Sequence, residues 1–318
     1  MAKKYTNTGN KDTRSGFGAG LLEAGRKNPD IVALTADLLG SVKMDAFAKE
    51  FPQRFFQCGI AEANMIGAAA GLAITGKVAF ASSFAEFVTG RVYDQIRQEV
   101  AYGHTNVKVC ASHAGITLGE DGATHQTMED IALMRALPGM VVINPCDYNQ
   151  CKAATLAIAE YEGPVYLRFG RPTMPNFTPE DQVFEIGKAI CLNEGTDVTI
   201  FATGHLVWEA VNAAELLEAE GISAEVIDIA TIKPLDVEAV VASARKTGAV
   251  VCAEEHNMCG GLGELIAGVL AANAPTLIEY VNGADRFGQS GTPGELMKAY
   301  GLDAAHIVEA AKRAVSRK

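Results

Sequence analysis

The segment Ser112–Gln126, SHAGITLGEDGATHQ, concentrates reactive side chains. It holds His113 and His125, two of the six histidines in the chain, with Glu120, Asp121 and Thr124. Gly115, Gly119 and Gly122 break it up, and it has no aliphatic period. Imidazoles, a carboxylate and a hydroxyl in such a loop suit a hydroxylated or phosphorylated small molecule. His113 follows an apolar run and is placed to meet a phosphate as a cation. His125 and Asp121 lie four apart and reach one hydroxyl-bearing group. A solvated glycine-rich loop would explain the glycines but not the paired histidines.

A second candidate is Glu62 in CGIAEANM, opening the apolar run IGAAAGLA. A carboxylate at a helix start is ordinarily a cap or a dipole partner. A helix apolar on all faces is a buried one, however. A lone carboxyl at its end would be desolvated and its proton held more tightly. Such a group suits proton donation to a heteroaromatic nitrogen. Phe84 and Phe87, three apart in SSFAEFV, share one side of a helical turn. By themselves they read more readily as core than as a stacking wall. Arg14, Ser41 and Arg171 are unremarkable one by one. Arg171 ends the run YLRFGR at a strand end, with Arg168 as its rival. Glu254–Glu255–His256 is a further polar strand end, read as an interface contact.

These residues need elements to position them. Ile31–Thr35, Arg54–Cys58, Lys77–Ala81, Val107–Ser112, Met140–Asn144 and Val165–Phe169 read as strands. Helical runs lie between them at Lys43–Glu50, Glu62–Ala73, Glu86–Tyr102, Met128–Ala136 and Tyr148–Glu160. The alternation predicts an α/β fold with a doubly wound parallel sheet. Such sheets bind ligands at the carboxyl ends of their strands. Arg171–Glu185 carries three prolines and reads as a linker at about 172–187. A second alternating set follows, with Ser223–Ile232 as one of its strands. The expected division is 1–180 and a smaller α/β unit at 188–318.

The 318 residues suit two domains. Lys and Arg total 27 against 38 acids, a net charge of −11, which disfavours a nucleic-acid partner. The seven cysteines form no C-x-x-C pair, so they read as reduced thiols of a cytoplasmic protein. The N-terminal run MAKKYTNTGNKDTRSG has no apolar core like that of a secretory signal. The most apolar stretch, 66–76, is too short to span a bilayer.

Taken in order, the motifs resemble transketolase over nearly the whole chain. The likeness is to that family's pyrimidine-binding and C-terminal domains. GEDGATHQ resembles the family's GEDGPTHQ, with Ala123 where proline is usual. ADLLGS, GIAEANM, FAEF, EEH with GGLGE, and DRFGQSGTP also fit. The resemblance implies thiamine diphosphate as cofactor and transfer of a two-carbon ketol unit from a ketose phosphate to an aldose phosphate. It implies that Glu62 hydrogen-bonds the aminopyrimidine ring. Phe84 and Phe87 then pack around the ring, with Gly90 where a third aromatic is usual, and Asp37 lies near the cofactor. Asp121 and His125 hold donor hydroxyls, and Glu62 and His125 are the catalytic pair. Arg14, Ser41, His113 and Arg171 grip the substrate phosphate.

The family binds the diphosphate through Mg²⁺ held by G-D-G and a later Asn, and this sequence contains no G-D-G. No metal ligands are therefore assigned to this chain. The expectation is a split enzyme in which a partner N-terminal subunit carries the Mg²⁺ and diphosphate site, most simply as a heterotetramer. Three rivals stay open. One is the β subunit of a 2-oxo acid dehydrogenase E1, which typically shows a histidine–serine pair in place of this loop. Another is a fragment like 1-deoxyxylulose-5-phosphate synthase. The third is a non-catalytic regulatory subunit of the same fold.

Overall fold

A computed structural model describes residues 5–318. Residues 1–4, the start of the polar N-terminal run, lie outside the described residues. The strands are β1 (Asn10–Asp12), β2 (Ile31–Thr35), β3 (Phe55–Gln57), β4 (Val78–Phe84), β5 (Val107–Ser112), β6 (Val141–Ile143) and β7 (Val165–Arg168). They continue with β8 (Thr173–Pro175), β9 (Ile190–Asn193), β10 (Val198–Ala202), β11 (Ala224–Asp228), β12 (Thr231–Lys233), β13 (Ala249–Ala253) and β14 (Leu277–Val281).

The first sheet has seven strands in the order β12-β6-β7-β5-β4-β2-β3. Six of them pair in parallel. β2, β4, β5, β6 and β7 are buried at every residue, as expected where helices cover both faces of a parallel sheet. The second sheet has five strands in the order β14-β13-β10-β11-β9, with β9 antiparallel at one edge. β1 and β8 form a separate antiparallel ribbon. The doubly wound α/β class read from the sequence is the fold observed.

Several elements differ from the sequence reading. Ser223–Ile232 is two strands rather than one. β11 stays in the second sheet, and β12 crosses to pair antiparallel with β6 of the first. Ile229 and Ala230, between them, are both buried, so no polar residue marks the crossing. Helix Thr13–Lys27 is an element the sequence reading did not name, and its four glycines depress helix propensity. They serve packing instead. A Cβ at Gly16 would collide with the Tyr148 carbonyl oxygen, and one at Gly20 would lie 2.7 Å from Thr155 Cβ. Both neighbours belong to helix Tyr148–Glu160, so the glycines let two backbones approach.

The expected helix Glu86–Tyr102 is broken. A turn at Ala85–Val88 stops, and the chain resumes at Tyr93–Gln95 and runs into a π-helical segment, Ile96–Tyr102. The break exposes Gly90 and Arg91. Helix Glu62–Ile74 also departs from expectation. Met65, Ile66, Ala69 and Ala70 are buried, but Ala63, Asn64, Ala68, Gly71 and Ile74 are exposed. This chain covers one apolar face of the helix and leaves the other open. Among the described residues no helix is long and apolar enough to cross a membrane.

Candidate active site

The candidate residues gather at the carboxyl edge of the first sheet. Asp37 follows β2, Glu62 follows β3, Phe84 ends β4, His113 follows β5 and Arg171 follows β7. The topology alone brings them to one edge.

An aromatic and cationic column runs along that edge. The Arg91 guanidinium lies 4.0 Å over the Phe87 ring. Phe87 stacks on Phe84 at 5.6 Å, and Phe84 stacks on His113 at 3.8 Å. His125 meets Phe87 edge-on at 5.4 Å. Both histidines of the loop therefore flank the phenylalanine pair. Glu62, buried at the first turn of its helix, accepts from Arg91 Nη1 at 3.0 Å. The lone carboxyl expected from the sequence thus has a cationic partner, because the broken helix delivers Arg91 to it.

A second group is cationic. Arg14 Nε pairs with Asp12 at 3.2 Å, and its Nη1 donates to the Ser41 carbonyl at 3.2 Å. Ser41 thus meets Arg14 through its backbone. Arg171 Nη1 donates to the Leu118 carbonyl and to Glu120, each at 2.7 Å. Arg168 is consumed elsewhere. It is buried, paired to Asp130 at 2.7 Å and bonded to the Glu255 carbonyl at 2.9 Å. Arg171 is the arginine left at the edge.

His113 requires a correction. Burial, together with the positive fields of Arg14, Arg171 and Lys43, pushes its imidazole down to about 3. The ring is neutral near pH 7, not the cation expected. Its Nδ1 lies 2.7 Å from Ser112 Oγ. Its backbone is strained at φ 59°, and Asp37 (60°) and Lys43 (61°) share that conformation. Positive φ outside glycine is uncommon and clusters where structure holds a functional geometry. Asp37 is exposed, its N–H donating to Gln57 at 2.7 Å. Asp121 is exposed in the loop, and Thr124 Oγ1 lies 3.0 Å from His125 Nδ1.

Sequence reasoning missed Lys43 and Arg91. Lys43 belongs to no motif, and its field on His113 depends on the loop after β2. Arg91 was hidden inside a helix read as continuous. Glu254–Glu255–His256 lies buried between the two sheets' units. Glu254 accepts the N–H groups of Leu262 and Gly263, at 2.7 and 2.8 Å, and so caps helix Leu262–Asn273.

A parallel sheet presenting a buried acid, stacked rings and cations at its carboxyl edge is an α/β arrangement with the chemistry to take a flat ring and an anion. Comparison with known proteins identifies the family. The model for the transketolase pyrimidine-binding domain matches residues 10–176, and that for the transketolase C-terminal domain matches 187–307. A protein of Methanocaldococcus jannaschii named for the transketolase C-terminal section is 50% identical, over 94% of this chain and 95% of its own. A 6-deoxy-6-sulfo-D-fructose transketolase subunit of Clostridium sp. strain MSTE9 is 46% identical, over 94% and 92%. A solved structure described as a split gene transketolase, inactive beta4 tetramer, is 49% identical with TM-score 0.91, covering 96% of this chain and 98% of that one. This chain belongs to the transketolase family, and it corresponds to the C-terminal section of the split form.

Proposed function

We propose that this chain is one subunit of a split, thiamine-diphosphate-dependent transketolase. In this reading it divides at about 172–187 into a pyrimidine-binding unit and a C-terminal unit. It moves a two-carbon ketol unit from a ketose phosphate to an aldose phosphate, as in the cytoplasmic pentose phosphate pathway. One observation carries the reading. The Arg91 guanidinium, a flat N–H donor, lies 4.0 Å over Phe87 while bonding Glu62 at 3.0 Å. An aminopyrimidine offers the same flat face and the same kind of N–H group, so the residues present fit that end of the cofactor.

Thiamine diphosphate, when bound, supplies the nucleophilic carbon and electron sink for cleaving a C–C bond beside a carbonyl. The chain supplies placement. Glu62 bonds the ring and holds a proton at its nitrogen, Phe84 and Phe87 set its plane, and Asp37 stands nearby. Asp121 and His125 hold the donor hydroxyls, with His125 moving a proton there. Arg14, Ser41, His113 and Arg171 grip the terminal phosphate, with Lys43 adding to their field. Neutral His113 contributes to that grip as a hydrogen-bonding ring. An anchor remote from the reacting carbons orients them.

With no G-D-G in this sequence, the Mg²⁺ and diphosphate fall to a partner N-terminal subunit. The open face at Ala63, Ala68, Gly71 and Ile74, beside Glu62, is the surface we assign to it, within a heterotetramer. The test is reconstitution with a G-D-G-bearing chain from a neighbouring reading frame, followed by a donor and acceptor screen. Sulfo-ketoses join ketose phosphates in that screen because a relative is named for one. The reading expects ketol transfer from the mixture alone. Full turnover by this chain without a partner contradicts it.

A further inference from the structure

The second sheet is also parallel at its centre, so its carboxyl edge is where an independent α/β domain would bind a ligand. That edge is filled by protein. Glu255, two residues past β13, reaches across to the loop Ile116–Gln126 of the first unit. The Thr117 N–H donates to Glu255 Oε1 at 2.7 Å. Glu255 Oε2 lies 3.4 Å from His205 Nδ1, and that nitrogen lies 3.5 Å from Thr117 Oγ1. His205 itself follows β10, on the same edge. Thr117, His205, Glu255 and Arg168 are all buried. Gly115 stands where any Cβ would strike the Glu255 carboxylate.

The far end of the loop is held as well. Gln126 Nε2 donates to the Ile116 and Gly119 carbonyls, at 3.0 and 3.1 Å, and to the Gln289 carbonyl at 3.0 Å. Asp121 and His125 lie between these two anchors, so their positions depend on them.

We propose that Glu255, braced by His205, is a positioning residue that sets the 116–126 loop and so governs donor binding by Asp121 and His125. The donor-binding half of this statement rests on the function proposed above; the tether does not. Burial raises the Glu255 carboxyl, but His205, Arg168 and the Thr117 N–H outweigh it and hold it below the usual range. It stays a charged acceptor, which makes the bond to Thr117 a strong one.

The test uses E255Q, which keeps the reach and loses the charge, and E255A, which loses both. Hydrogen–deuterium exchange on the whole chain is expected to rise about tenfold at Thr117 and through 116–126 in E255Q, and further in E255A. The strands β5 and β13 should stay protected. In the reconstituted enzyme the KM for the donor should rise about tenfold or more, with a smaller change in kcat. Unchanged loop exchange in both variants overturns the proposal. So does a rise spread equally over β5 and β13, which marks a merely structural role. Faster loop exchange with unchanged donor KM overturns the positioning. If wild-type mixtures transfer no ketol unit, the functional reading fails and the donor-binding half falls with it, while exchange still decides the tether.

Discussion

The two sheets are both parallel at their centres and differ in what meets their carboxyl edges. At the first, Asp37, Lys43 and His113 hold strained backbone, Arg14 and Arg171 keep their cationic groups near one another, and much of the edge is exposed. At the second, His205, Asp228, Glu254 and Glu255 are buried against the rest of the chain. The same kind of edge is left open in one unit, where we propose the ligand site, and closed as an internal joint in the other. A parallel sheet thus specifies where loops converge, and the loop residues decide whether the convergence stays open.

The joint should be costly to break. Arg168→Met removes the bond that crosses to the Glu255 carbonyl and leaves the fully enclosed Asp130 without its cation. The expected loss is about 3–5 kcal/mol in urea unfolding. A loss under about 1 kcal/mol would mean that the joint contributes little and the contrast between the edges is only one of exposure.

Asp228 sharpens the comparison through pH. Burial pushes its carboxyl up to about 7, although Gln150 Nε2 donates to Oδ2 at 2.6 Å. The folded value lies above the unfolded value of about 4. Its contribution to stability is therefore fully present below about pH 4 and lost as pH rises through about 7. Asp228→Asn should gain on wild type across that window by up to about 4 kcal/mol, read from unfolding at a series of pH values. A flat difference would show that the acid is not held neutral.

At the open edge, effects should fall on ligands instead. Arg171→Ala should raise the KM for a phosphorylated acceptor about tenfold or more, with unfolding little changed. The smallest expected effect concerns His113, which should show no titration by NMR between pH 5 and 8. A step in that range would mean that burial and the cations around it do not hold the ring neutral.

The sequence made the open edge more legible than the joint. Glycines, histidines and acids without periodicity stood out in Ser112–Gln126, and strand ends placed Glu62 and Arg171. What the sequence concealed depends on close approach between distant segments. Gly16 and Gly20 lower helix propensity on their own, and their packing role is visible only with Tyr148 and Thr155 set against them. β12 was hidden because an apolar run does not reveal which sheet receives it. Arg91 reached Glu62 only because a helix broke, and Glu255 gained a role only through Thr117, which lies in another unit.

The most direct measurement of the central claim is ketol transfer by the reconstituted pair carrying Glu62→Ala. With Glu62 holding the ring proton, the rate should fall about 10²–10⁴-fold while assembly and unfolding stay near wild type. A pair that keeps full activity without this carboxyl would contradict the assignment of the open edge as the cofactor site.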